Sequence, residues 1–188
     1  MKFRNAATIH VCALRHVPDM ARRIGARHLV SAINADLVPE TPTVISDGRH
    51  LKLNMNDIVE AQPDLIPPDR EHVAKLVDFL QSWDQQAPIL IHCYAGLSRS
   101  TAAAFIALCA LNPRSPEDAI ARALRKSSDT AVPNRLFVAV ADKALRREGR
   151  MIAALDSMGE SRSAYECTPF GVEALHERNQ TGTAYQAA

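Results

Sequence analysis

Apolar and polar positions alternate between two periods along this chain, and the alternation itself predicts a layered α/β fold. Thr8–Leu14 is a compact apolar run that fits a first core strand, and Val17-Pro18-Asp19 then opens a short helix that Gly25 can end. His28–Ile33 is a second strand. Residues 34–50 carry Pro39, Pro42 and an Asp47-Gly48 turn, so they read as loop, with a short edge strand at Val44-Ile45 as an option. Leu51, Leu53 and Met55 alternate with Lys52 and Asn54, which predicts a third strand with one buried face. After Pro67-Pro68-Asp69, the residues Val73, Leu76, Val77, Leu80 and Trp83 recur at helical spacing.

The second half continues the pattern. Ile89–His92 is a short β-rich run, and the uncharged segment Thr101–Leu111 fits a helix buried on nearly every side. Ser115-Pro116-Glu117-Asp118 predicts another helix, with Ser115 as cap, Pro116 in the first turn and the acids facing the dipole. A further helix is expected from about Asn134 to Arg147. Strands separated by helices imply a mostly parallel sheet of four or five strands, flanked by helices on both faces. From Asp156 the chain turns polar and loses its period. The division expected is one domain over 1–160 and a C-terminal extension over 161–188, in which Pro169–Val172 could dock and the last dozen residues form a flexible tail.

Composition narrows the class. The 188 residues are 47% hydrophobic and 23% charged, ordinary for a protein with a packed core, and the net charge of +1 offers nucleic acid or anionic membrane no field to follow. Arg22-Arg23 and Arg146-Arg147 are pairs, not runs, and read as solvated helix faces. The N-terminal stretch lacks a cleavage pattern and is interrupted by His10, so a strand fits it better than a signal peptide. No run approaches the length of a membrane span. Cys12, Cys93, Cys109 and Cys167 lie far apart without metal-type pairing, and the histidines form no cluster, so free thiols in a reducing cytoplasm are expected, and no metal. Cys12 and Cys109 read as core hydrophobes, and no spacing rule supports a disulfide from Cys93 to either.

One segment carries chemistry: Ile89-Leu90-Ile91-His92-Cys93-Tyr94-Ala95-Gly96-Leu97-Ser98-Arg99-Ser100-Thr101. A strand enters a short loop that opens a buried helix, a junction where free backbone N–H groups and the helix dipole suit a phosphate. Tyr94, Ala95, Gly96, Leu97 and Ser98 would form the cradle, with Gly96 supplying an unusual backbone conformation. Cys93, at its start, is expected as a thiolate nucleophile. Arg99 can grip two phosphate oxygens, Ser100 can hydrogen-bond the sulfur, and His92 is an organiser of loop carbonyls.

HCYAGLSRS resembles the HCxxGxxR(S/T) signature of the protein tyrosine phosphatase superfamily, and its GxSRS portion looks like the dual-specificity branch, which includes single-domain bacterial proteins of similar length. The resemblance covers about residues 50–147 and implies the fold of that family and a cysteine phosphatase without cofactor. It implies phosphorylated protein or peptide as substrate, and inhibition by oxyanions such as phosphate, sulfate or vanadate. It also implies an acid upstream, after the preceding strand. Asp57 directly follows Leu51–Met55 and is the first choice. Asp64 is the runner-up, and Asp69 has its own use as a helix cap. Asp57 stands 36 residues before Cys93, longer than is usual in the family, which an insertion around Glu60–Pro68 would explain. Pro133-Asn134 with Phe137 is similar to a downstream element whose Asn supports the phosphate loop, although a plain helix cap fits Asn134 equally well. The rival readings are a phosphoinositide phosphatase, against which the neutral loop residues argue, and a catalytically inactive phospho-binding module.

Overall fold

The computed structural model describes residues 7–174. Its strands are β1 (Thr8–Ala13), β2 (His28–Ala32), β3 (His50–Leu53), β4 (Ile89–Cys93) and β5 (Phe170–Glu173). The helices are α1 (Val17–Ile24), α2 (Arg70–Ser82), α3 (Arg99–Leu111), α4 (Glu117–Ser127), α5 (Arg135–Ala144) and α6 (Arg150–Asp156), with short 3-10 turns at Leu14–His16 and Ala35–Leu37. The sheet order is β3-β2-β4-β1-β5. The first four strands run parallel, and β5 pairs antiparallel with β1 at the edge.

β4 lies in the middle, and all five of its residues are buried. That is why its sequence is apolar without alternation, as a strand covered on both faces must be. On one face Cys12, Leu29 and Leu90 pack with Val17, Met20, Ala21 and Ile24 of α1. On the other, Ile9, Val11, Val30, Ile89 and Ile91 meet the larger core built with α2 to α6. Helix α3 packs against β1, β2 and β4 and against α2, α4 and α5. Neighbours on so many sides leave no room for charge between Thr101 and Leu111.

Several local expectations are corrected. Val44-Ile45 forms no strand: it sits in a turn closed by Ile45 N–H to the Pro42 carbonyl, and buries Ile45 in the α1 core. Ser115 does not cap α4, which starts one residue later with Pro116 in the capping position and no side-chain cap. The helix from Asn134 stops at Ala144, because Arg146, Glu148 and Gly149 take positive φ. Arg147 is no solvated residue. It is buried, pairs with Glu117 at 2.9 Å and donates to the Cys109 carbonyl at 2.6 Å. Beyond position 160, Arg162 binds Asp129 and the chain returns to supply β5. The expected tail from 175 lies outside the described residues.

Candidate active site

The carboxyl ends of parallel strands collect the side chains that matter, as in other open α/β sheets. β4 delivers His92 and Cys93, β2 is followed by Asn34, and β3 is followed by Met55 and Asp57. Cys93 and Arg99 are nearly inaccessible, at 2% and 5% exposure, whereas Tyr94 beside them is open to solvent.

The loop from Cys93 to Arg99 is held by its carbonyls. His92 Nδ1 donates to the Cys93 carbonyl at 3.1 Å. Leu14 N–H binds the Tyr94 carbonyl at 3.0 Å, Cys167 N–H the Ala95 carbonyl at 2.9 Å, Val132 N–H the Leu97 carbonyl at 2.8 Å and Asn134 N–H the Ser98 carbonyl at 3.3 Å. All five carbonyls thus point out into the body of the protein. In a trans peptide the N–H is antiparallel to the carbonyl, so the N–H groups of Tyr94, Ala95, Gly96, Ser98 and Arg99 are turned the other way. Ser98 heads α3 without capping it, since its hydroxyl is used elsewhere. The first-turn amides therefore keep their donor capacity, at the positive end of the helix dipole. Gly96 has φ +73°, and a Cβ there would run into Cys167 Sγ and, at 2.9 Å, the Cys12 backbone carbon. Only glycine fits.

Arg99 is fixed by one nitrogen. Its Nη1 donates to Asn34 Oδ1 at 3.0 Å and to the Met55 carbonyl at 2.9 Å, while its buried Nε has no hydrogen-bond partner and stands 3.7 Å from Asp57 Oδ2. A buried guanidinium N–H without a partner is costly and marks where an anion would be held. Cys93 Sγ lies 3.1 Å from Ser100 Oγ, both buried. The arrangement thus offers a sulfur, an oriented ring of amides and a free guanidinium edge in one place.

Among the three aspartates, Asp57 is the one brought to this place. Its Oδ1 accepts from Ser98 Oγ at 2.7 Å and from Asn134 Nδ2 at 2.9 Å. Asp69 caps α2, accepting from His72 N–H at 3.0 Å. Asp64 is exposed in a turn with φ +61°. The long separation from Cys93 has a simple cause: Asn56 N–H donates to the Ile66 carbonyl and Asn56 Oδ1 accepts from Ile66 N–H, so 57–65 makes an excursion that closes on itself. His72 Nε2 pins the Asn54 carbonyl at 2.9 Å and ties the start of this loop to α2. Asn134 divides its groups between a helix and the loop. Its side chain caps α5 through Phe137 N–H and reaches Asp57, and only its backbone N–H holds the cradle.

Asn34, Asn56 and Cys167 were not singled out from the sequence. A polar residue just past a strand's carboxyl end, as Asn34 is past β2, was the available signal. Cys167 offered none: its backbone holds Ala95, and its thiol is pushed up to about 12 by burial first and by Cys93 second. The four thiols are free. Burial lowers His92 to about 4, with Arg99 adding to the shift against the opposing hydrogen bond to Cys93. Among the described residues no group of three His, Cys, Asp or Glu side chains could hold a metal ion, and no helix is long and apolar enough to cross a membrane.

Comparisons with known proteins meet this geometry at the same segment. Residues 60–132 match the family model described as protein-tyrosine phosphatase, a stretch that contains α2, β4, the loop and α3 but stops short of Asp57. No curated protein matches the chain. A mouse putative dual specificity phosphatase complexed with zinc tungstate superposes with a TM-score of 0.58 at 15% identity, over 81% of this chain and 89% of that one. PTP-2 phosphatase of Cydia pomonella gives 0.57 at 19% identity, over 72% and 84%. PTPMT1 in complex with PI(5)P gives 0.55 at 15%, over 78% and 94%. At these identities the likeness is one of fold. The family match is centred on the cysteine loop, and the sheet around it has the fold of the dual-specificity-like protein tyrosine phosphatases.

Proposed function

We propose that the chain is a cysteine-dependent phosphatase that hydrolyses phosphotyrosyl monoesters of proteins or peptides through a phosphocysteine on Cys93. The observation that carries this reading is the outward turn of five loop carbonyls, which leaves their amides to surround a tetrahedral dianion beside the sulfur. In the first step Cys93 Sγ attacks phosphorus, the ester P–O bond breaks, and Asp57 gives its proton to the departing oxygen. In the second, water loses a proton to Asp57 and attacks phosphorus, and the P–S bond breaks to return the thiolate, with Ser100 Oγ donating to it. The amides and Arg99 hold the equatorial oxygens throughout, so positioning and electrostatics supply most of the acceleration. No cofactor enters either step.

A lipid headgroup is the second substrate to assay, since PTPMT1 with this fold holds PI(5)P. What weighs against it is charge. Tyr94, Ala95, Leu97 and Ser98 are neutral, and Arg15, next to the Leu14 that binds the cradle, is paired with Glu166 at 2.5 Å. Initial rates of phosphate release from phosphotyrosyl, phosphoseryl and phosphothreonyl peptides and a short-chain phosphoinositide test the reading. The phosphotyrosyl peptide is expected to turn over fastest and vanadate to stop it. Faster inositide release would move the substrate class, and no vanadate-sensitive release from any of them would defeat the reading.

A further inference from the structure

Behind the catalytic loop, four short hydrogen bonds join the 34–49 connection to the Cys93 backbone. Thr41 Oγ1 lies 2.7 Å from His50 Nδ1, His50 Nε2 lies 2.7 Å from Ser31 Oγ, Ser31 Oγ lies 2.6 Å from His92 Nε2, and His92 Nδ1 lies 3.1 Å from the Cys93 carbonyl oxygen. The chain crosses three strands, from half-buried Thr41 and His50 on the β3 side to fully buried Ser31 of β2 and His92 of β4.

Only one order of protons satisfies it. A carbonyl can only accept, so Nδ1 of His92 carries a hydrogen. In a neutral ring Nε2 is then an acceptor, and the Ser31 hydroxyl must donate to it. Ser31 has spent its one hydrogen, so it accepts from His50 Nε2–H. His50 Nδ1 is in turn an acceptor, and Thr41 donates. The two imidazoles are thereby fixed as opposite tautomers, and every bond runs towards Cys93. A second proton on His92 would give Ser31 two donors and leave its own hydrogen without a place. Both rings are held neutral to about pH 4, chiefly by burial. Lys52, and His92 once it is protonated, oppose a charge on His50, and Arg99 opposes one on His92.

We infer that Ser31 and His50 are positioning residues of the catalytic loop, acting through His92 to fix the direction of the Cys93 carbonyl and, with it, the first amide of the cradle. The kinetic consequence rests on the phosphatase reading above, whereas the tautomers do not. Neither residue touches the reacting atoms. Ser31 orients the ring that orients the peptide, and His50 uses up the lone pair through which Ser31 would otherwise rotate.

Long-range proton–nitrogen NMR of the folded wild-type protein tests the chain without any turnover. His92 should show a protonated Nδ1 and a bare Nε2, and His50 the reverse. Ser31→Ala should leave His92 as a mixture of tautomers and lower kcat about tenfold, the worth of about one hydrogen bond. Ser31→Thr should restore both signals. His50→Ala, made at a half-buried position on the edge strand, should still fold and shift the same His92 resonances. A wild-type His92 protonated on Nε2 would overturn the inference. So would folded Ser31→Ala and His50→Ala proteins that keep the wild-type tautomer and rate. The predicted tautomers in a protein with no phosphatase activity would instead sink the functional reading and leave the chain standing.

Discussion

Cys93→Ser is expected to turn over no substrate and still to bind phosphopeptide with near wild-type affinity. On the proposed mechanism the attacking species is a thiolate, and a serine hydroxyl at the same place, far less acidic than a thiol, would need a base beside it: among the described residues the side-chain partner of Cys93 Sγ is the hydroxyl of Ser100, and Asp57 reaches Ser98 and Asn134. Binding uses other groups. The outward-held carbonyls and the Asn34–Arg99 anchor do not depend on the sulfur, so the amides and guanidinium should hold the dianion as before. Aryl phosphate hydrolysis and phosphopeptide calorimetry read the two halves separately. Turnover should fall to the uncatalysed background while Kd changes less than a few-fold. A burst of aryl alcohol from the serine variant would contradict the assignment of the nucleophile.

The second large effect separates substrates by their leaving group. An alkoxide or an unactivated phenoxide departs badly without a proton, and general acid catalysis supplies about 10²- to 10⁴-fold. Asp57→Asn is the better variant, because an amide oxygen can still accept from Ser98 and Asn134 and so keeps the loop in place. Its kcat on poor leaving groups should drop by about that factor, and on a strongly activated aryl phosphate by far less. Plotted against leaving-group acidity, the wild type should be nearly flat and the variant steep. An equal loss across the series would move the acid elsewhere, and Asp64 would be the next residue to replace.

The fold was legible where a period or a cap is written locally. β4 and the Thr101–Leu111 stretch of α3 announce themselves because burial on all sides admits no charge, and α2 because Asp69 caps it and its apolar positions follow. α6 was not legible. It is only seven residues long, and its first amides are capped from another helix: Asp142 of α5 accepts from Gly149 N–H at 2.7 Å and from Met151 N–H at 2.9 Å. A cap supplied from a neighbouring element leaves no signature in the segment it caps. Ser115 marked the start of α4 one residue too early: the helix and its first-turn acids are there, with Pro116 in the capping position.

The candidate site divides the same way. Cys93, Gly96, Arg99 and Ser100 sit at fixed offsets in one short segment, so their neighbourhood can be read from the chain. The groups that hold them come from all over it: Asn34 on Arg99, Leu14, Cys167 and Val132 on the loop carbonyls, and Ser31 and His50 behind His92. The contacts from Leu14, Cys167 and Val132 are made by backbone, whose chemistry is nearly the same in every residue. No side-chain pattern could have pointed to Cys167 or Val132. Asp57 falls between the two cases, since its place after β3 is readable and the closed excursion that keeps it there is not.

A crystal structure with bound vanadate tests the central claim most directly. The account predicts vanadium in line with Cys93 Sγ, equatorial oxygens accepting from the amides between Tyr94 and Arg99 and from Arg99 Nε, and the Asp57 carboxyl turned to the apical oxygen opposite the sulfur. Vanadate bound away from Cys93, or held there with the loop carbonyls turned inward, would contradict it.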